Sequence, residues 1–174
     1  LYFNSPIINR RFQHWCAEQS DTAFTNLVDG LPLPAPQFNA IYLLAHIHHH
    51  LLFEGVGLRH ITDYAVLLTH TDVLQRRDEI VRTACRLHLK GIMGALMYVM
   101  QVCYGIPNEK LLCAPDAKRG KLLLCEVMRA GNFGYFDERL GRKRDASVWD
   151  TFWLRTRHRT RFLFAYPGEI LFDI

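Results

Sequence analysis

The sequence predicts an all-α protein, an irregular multi-helix bundle, and three observations lead there. Apolar residues recur every three or four positions through most of the chain, the spacing that lines one face of a helix. Two stretches, residues 38–53 and 91–104, are apolar on nearly every side, as helices at the centre of a bundle are. Alternation of apolar and polar residues, the mark of a half-buried strand, never persists long enough to build a sheet. With 174 residues, 49% of them hydrophobic and 22% charged, the chain has the size and composition of one folded domain. We read residues 1–174 as a single helical domain. Residues 1–35 supply an N-terminal helix and a proline-rich connector, and 36–174 the main helical bundle.

The elements follow in order. Pro6 suits a first helical position behind Asn4 or Ser5, where its missing N–H would have had no intrahelical partner. Phe12, Trp15 and Cys16 then recur at helical spacing up to about Glu18. Residues 28–36 hold three prolines and one glycine, so a connector is expected that sustains neither a helix nor a sheet interior. Residues 38–53 form the core helix, interrupted mainly by histidines and broken at Gly55 and Gly57. Leu58, Ile61, Ala65 and Leu68 make the inward stripe of the next helix. Asp72 with Gln75 three residues on suggests a capping arrangement, and Val73, Ile80, Ala84 and Leu87 one face of a surface-lying helix. Met93, Leu96, Met97, Val99 and Met100 fill the second buried helix, which Gly105 is suited to stop. Pro107 and Pro115 open a short turn and then a helix through Leu122, Leu123, Glu126 and Val127, ended near Gly131. Ser147 with Asp150 caps a long C-terminal helix that shows Trp149, Phe152, Trp153, Thr156, Thr160 and Leu163 on one face.

Several function classes are set aside at this stage. A formal charge of +4 is too modest to argue for a nucleic-acid or membrane partner. The basic run Arg142, Lys143, Arg144, then Arg155, Arg157, Arg159 and Arg161, reads as a solvated face opposite the tryptophan stripe rather than a nucleic-acid surface. Gly131-Asn132-Phe133-Gly134 is too short for a phosphate loop. Five widely spaced cysteines with no CxxC pair read as buried free thiols. No stretch approaches the roughly 18 continuous apolar residues of a membrane span, and the start has no basic end leading into a hydrophobic run. A cytoplasmic location without a membrane partner is the expectation.

Chemistry concentrates around the core helix. His46, His50 and Glu54 lie along one side of it at i, i+4, i+8, with His48 and His49 pointing elsewhere. Two histidines one turn apart plus a carboxylate could supply three metal ligands, which would make the chain a metal-dependent helical hydrolase. No His-Glu-x-x-His or adjacent His-Asp pair completes such a signature. The preferred reading is therefore histidines hydrogen-bonded inside the bundle, with no metal site and no cofactor in this chain. Arg59 and Asp63 stand four apart near the glycine corner and are expected to pair across one turn. Alternatively, Arg59 at a helix start could meet a phosphate or carboxylate. His46, His50, Glu54, Arg59 and Asp63 are thus the candidate substrate-binding residues, and none is assigned as catalytic. A non-catalytic helical interaction or scaffold module is the other alternative.

These residues also carry a resemblance. Phe38-Asn39, His46, His50, Glu54-Gly55-Val56-Gly57-Leu58-Arg59 and Asp63-Tyr64 resemble the C-terminal helical half of the uncharacterised bacterial nucleotidyltransferase family proteins. Asn9-Arg10-Arg11-Phe12-Gln13 upstream, and Leu112-Cys113 with residues 131–134 downstream, are similar to the same family, in the same order. The resemblance implies a partner within the same protein, an N-terminal nucleotidyltransferase domain where a Gly-Ser pair precedes Asp-x-Asp. Those carboxylates would hold divalent metal ions, Mg in particular, for transfer of a nucleotide to an unknown acceptor. This chain contains neither motif, so it is expected to be inactive alone.

Overall fold

The computed structural model describes residues 3, 5–23, 26–28, 31–53, 55–130, 156, 160 and 162. Over these the protein is an all-α multi-helix bundle, with one small hairpin near its start. Helix α1 (Pro6–Ala23) begins at Ser5, whose Oγ accepts the Ile8 N–H at 3.4 Å, and runs five residues past the expected end. Ile8 and Phe12 enter the core beside Phe3. Next come β1 (Asn26–Val28) and β2 (Leu31–Leu33), an antiparallel pair that places Leu27 opposite Pro32. The connector was expected to hold no sheet. In a two-stranded ribbon each strand is an edge, so a proline can sit where no ladder N–H is required.

Helix α2 (Pro36–Phe53) is the hub, packed against α3 (Leu58–Leu67), α4 (Thr71–Gln75), α5 (Arg77–Arg86) and α6 (Lys90–Tyr104). Ile41, Leu44, Ile47, His48 and Leu51 are buried along one side of α2, and Phe38, Ala45 and His50 extend the buried surface around it, as the broadly apolar pattern predicts. Between α2 and α3 the chain turns sharply. Gly55 takes φ 91°, open to glycine at little cost, and its N–H donates to the His50 carbonyl at 2.7 Å. Gly57, in extended conformation, is the N-cap of α3.

On α3 the inward face is Ile61, Tyr64 and Ala65, continued by Leu68. Leu58, expected on that stripe, is 55% exposed, because the first position of the helix lies beyond the edge of the core. The single surface-lying helix expected from Asp72 is two, α4 and α5, divided at Arg76. Asp72 makes no cap: His70 is the N-cap of α4, so the carboxylate stands in the first turn, where it faces the positive end of the helix. Val73, Ile80, Ala84 and Leu87 are buried as expected. Helix α5 closes with His88 in the left-handed region (φ 57°) and the Leu89 N–H donating to the Ala84 carbonyl at 2.8 Å.

Helix α6 is buried through Met93, Leu96, Met97, Val99 and Met100 and stops at Gly105, φ 63°. A short 3-10 turn (Asn108–Lys110) leads to α7 (Ala117–Ala130), which packs on α6 with Gly120 against Tyr98. Asp116 opens α7: its Oδ1 accepts the Arg119 N–H at 3.0 Å and its own N–H donates to the Gly94 carbonyl of α6 at 2.9 Å. Among the described residues no helix is long and apolar enough to cross a membrane. Of the C-terminal helix expected from Ser147 onward, Thr156 and Thr160 are helical and Phe162 is buried in the core. Trp149, Phe152, Trp153, Leu163, the basic run and residues 131–134 lie outside the described residues.

Candidate functional site

Two buried histidines, His50 and His60, meet at the corner of α2 and α3. Helical spacing brings His46 and His50 together: their Nε2 atoms are 3.1 Å apart, so one ring donates and the other accepts, with the ring planes at 82°. The corner adds a third imidazole that the sequence reading did not single out. His60, on the first turn of α3, lies with its ring 5.1 Å from that of His46 and 4.8 Å from that of His50, nearly parallel to the latter at 24°. One ligand nitrogen from each of the three falls within 4.8 Å of the others. His50 and His60 are buried and His46 is half-buried. The available signal was a histidine three residues past a Gly-x-Gly corner that itself follows an i, i+4 histidine pair.

The other expected residues are placed as follows. His48 and His49 do point elsewhere, His48 toward Phe3 and His49 toward Phe53, with ring centroids 6.0 and 4.9 Å apart. Glu54 lies outside the described residues. Arg59 and Asp63 flank His60 on α3 and are exposed, and the ion pair expected between them is not formed. An arginine N-terminal to its carboxylate is the weaker helical orientation, and an exposed pair gains little for the side-chain entropy it gives up.

Burial holds the His60 pKa below its ordinary value; the Gly57 carbonyl and the Asp63 carboxylate oppose this, and Arg59 adds to it. Burial thus favours the neutral ring, in which one nitrogen can accept. Three imidazoles at this spacing can hold a transition-metal ion, and the exposed Arg59 beside them can meet an anionic group.

A cavity of about 600 Å³ lies away from this corner, between the end of α5, the start of α6 and the start of α7, with Cys85, His88, Lys90, Cys113, Asp116 and Arg119 on its walls. The Asp116 carboxyl is held below the usual range, chiefly by the Arg119 N–H it accepts, and its Oδ2 pairs with the Arg119 guanidinium at 2.6 Å. Of the thiols expected to be buried, Cys85 and Cys103 are exposed, and Cys16, Cys113 and Cys125 half-buried.

Compared with protein-family models, with curated proteins and with solved structures, the chain matches none.

Proposed function

We propose that this chain is the helical lobe of a nucleotidyltransferase, and that the α2–α3 corner receives an anionic or hydroxyl-bearing group of the nucleotide or of its acceptor. The observation that carries this is the contact of His46 with His50 at a corner where the exposed Arg59 stands in the first turn of α3, three of the residues on which the family resemblance rests. Arg59 offers planar donors suited to phosphate or carboxylate, and the imidazoles offer both donors and acceptors. The chain has neither Gly-Ser nor Asp-x-Asp to hold catalytic metal ions, so transfer needs those carboxylates from a separate domain.

The reading is tested by assaying labelled-nucleotide transfer with the chain alone and with the polypeptide encoded immediately upstream of Leu1. No transfer is expected from the chain alone. With both parts present, Arg59→Ala should lower kcat/KM by about tenfold or more, the size of one charge-assisted contact. Transfer by the purified chain alone, at a rate sensitive to its own substitutions, refutes the reading, as does an upstream sequence without the two motifs.

A further inference from the structure

We propose that His46, His50 and His60 form a binding site for one divalent transition-metal ion of the zinc class, a role that goes beyond the nucleotidyl-transfer reading and does not rest on it. The observation is convergence from two helices. His46 and His50 come from the last two turns of α2, and His60 from the first turn of α3. Two nitrogens bound tetrahedrally to zinc at about 2.0–2.1 Å stand about 3.3 Å apart. The His46 and His50 Nε2 atoms are already at 3.1 Å. With all three ligand atoms within 4.8 Å, the longest separation has to close by at most about 1.5 Å, within reach of side-chain rotation.

A hydrogen bond between two imidazoles accounts for the His46–His50 contact. The third ring comes from the next helix and lies nearly parallel to His50, with its ligand nitrogen within 4.8 Å of the other two. An all-nitrogen donor set also fixes the chemical class. Imidazole suits zinc, copper, nickel and cobalt, whereas magnesium and calcium require oxygen ligands, so this ion differs from any that a carboxylate-based transferase domain would use. Three protein ligands leave a fourth position for water or a substrate oxygen, and the half-buried His46 marks the side from which solvent reaches it. The ligands sit on rigid elements: α2 is packed by four other helices, and the start of α3 is set by Gly57.

The test uses the full chain, stripped with a chelator and titrated with zinc chloride by calorimetry. One ion per chain is expected. At free zinc about a hundredfold above Kd, Tm should rise by about 5–10 °C, and magnesium at the same concentration should leave it unchanged. His60→Gln should weaken zinc binding by more than about 100-fold, since loss of an outer-shell partner alone costs 10–100-fold. His14→Gln, at an exposed histidine of α1 paired with Glu18, should leave it as it was. If His60→Gln loses its helical circular dichroism, His46→Gln makes the same test at a half-exposed ring. Absence of saturable one-to-one binding, equal stabilisation by magnesium, or zinc binding undiminished in the folded ligand variants overturns the proposal. The readout is binding rather than transfer, so the two readings fail separately.

Discussion

Gly120→Ala is a substitution for which helix propensity and packing give opposite answers. In the interior of a helix, alanine is favoured over glycine by about 1 kcal/mol. The added Cβ, however, would stand 2.5 Å from Tyr98 Cβ and 2.6 Å from Tyr98 Cγ, against about 3.5–4.0 Å for carbon atoms in ordinary contact. A ring can rotate away, but Tyr98 Cβ is fixed to the α6 backbone, so α6 and α7 would have to part by about 1 Å. Overpacking of this kind costs about 1–3 kcal/mol, and an obstacle anchored in the backbone puts the cost near the upper end. After the helix gain, a net loss of about 2 kcal/mol is expected, or about 4–8 °C in Tm for a chain of this length.

Urea titration followed by circular dichroism should show a lower midpoint with an unchanged slope. In a Tyr98→Ala background the penalty should shrink, because the ring is gone, but persist, because Cβ remains. A Gly120→Ala protein as stable as the parent or more so refutes this account of the α6–α7 contact, and so does a penalty unaffected by Tyr98→Ala.

Asp116→Ala should cost about 1–2 kcal/mol, the sum of a lost helix cap and a partly exposed ion pair, whereas Asp116→Asn keeps the cap and should cost less than half as much. Because the folded carboxyl titrates below its ordinary value, its contribution is fully present above the unfolded value near 4 and is lost as pH falls through the folded one. The stability gap between parent and Asp116→Ala, measured by denaturant titration, should therefore narrow below about pH 4. Burial pushes the Cys16 and Cys113 thiols up, so a thiol-disulfide reagent near pH 8 should find them in its slow phase, after the exposed Cys85 and Cys103. Cys103→Ser should remove one fast equivalent and Cys113→Ser none.

What could be read from the sequence was what local pattern determines. Helices α2 and α6 are apolar over most of their surface, and Pro6 marks the start of α1 and Gly55 and Gly105 the ends of α2 and α6, by restricting or freeing single backbone dihedrals. The His46–His50 contact was legible for the same reason, since i, i+4 neighbours meet in any helix. Features set by tertiary position were not. Leu58 keeps the correct period but lies past the edge of the core, and the split between α4 and α5 falls at Arg76, which carries no breaker signal. The Arg59–Asp63 spacing allows an ion pair without favouring one over hydration. His60 is the largest omission: its part in the cluster depends on the angle of the corner, which spacing along one helix cannot express.

The corner also separates core-facing from solvent-facing residues along a single helix. On α3, Ile61, Tyr64 and Ala65 face the core, while Arg59 and Asp63 face solvent from the same two turns. His60 stands between these groups, buried by its contact with His50 yet adjacent to the exposed arginine. The Gly55 N–H that closes the turn donates to the carbonyl of His50, so the turn that reverses the chain is tied to the backbone of one of the three histidines. Pre-organisation of this kind does not depend on the exposed residues. Replacing Arg59 should therefore leave the core face of α3 packed, so under the proposed function a loss of transfer in Arg59→Ala would report on recognition rather than on folding.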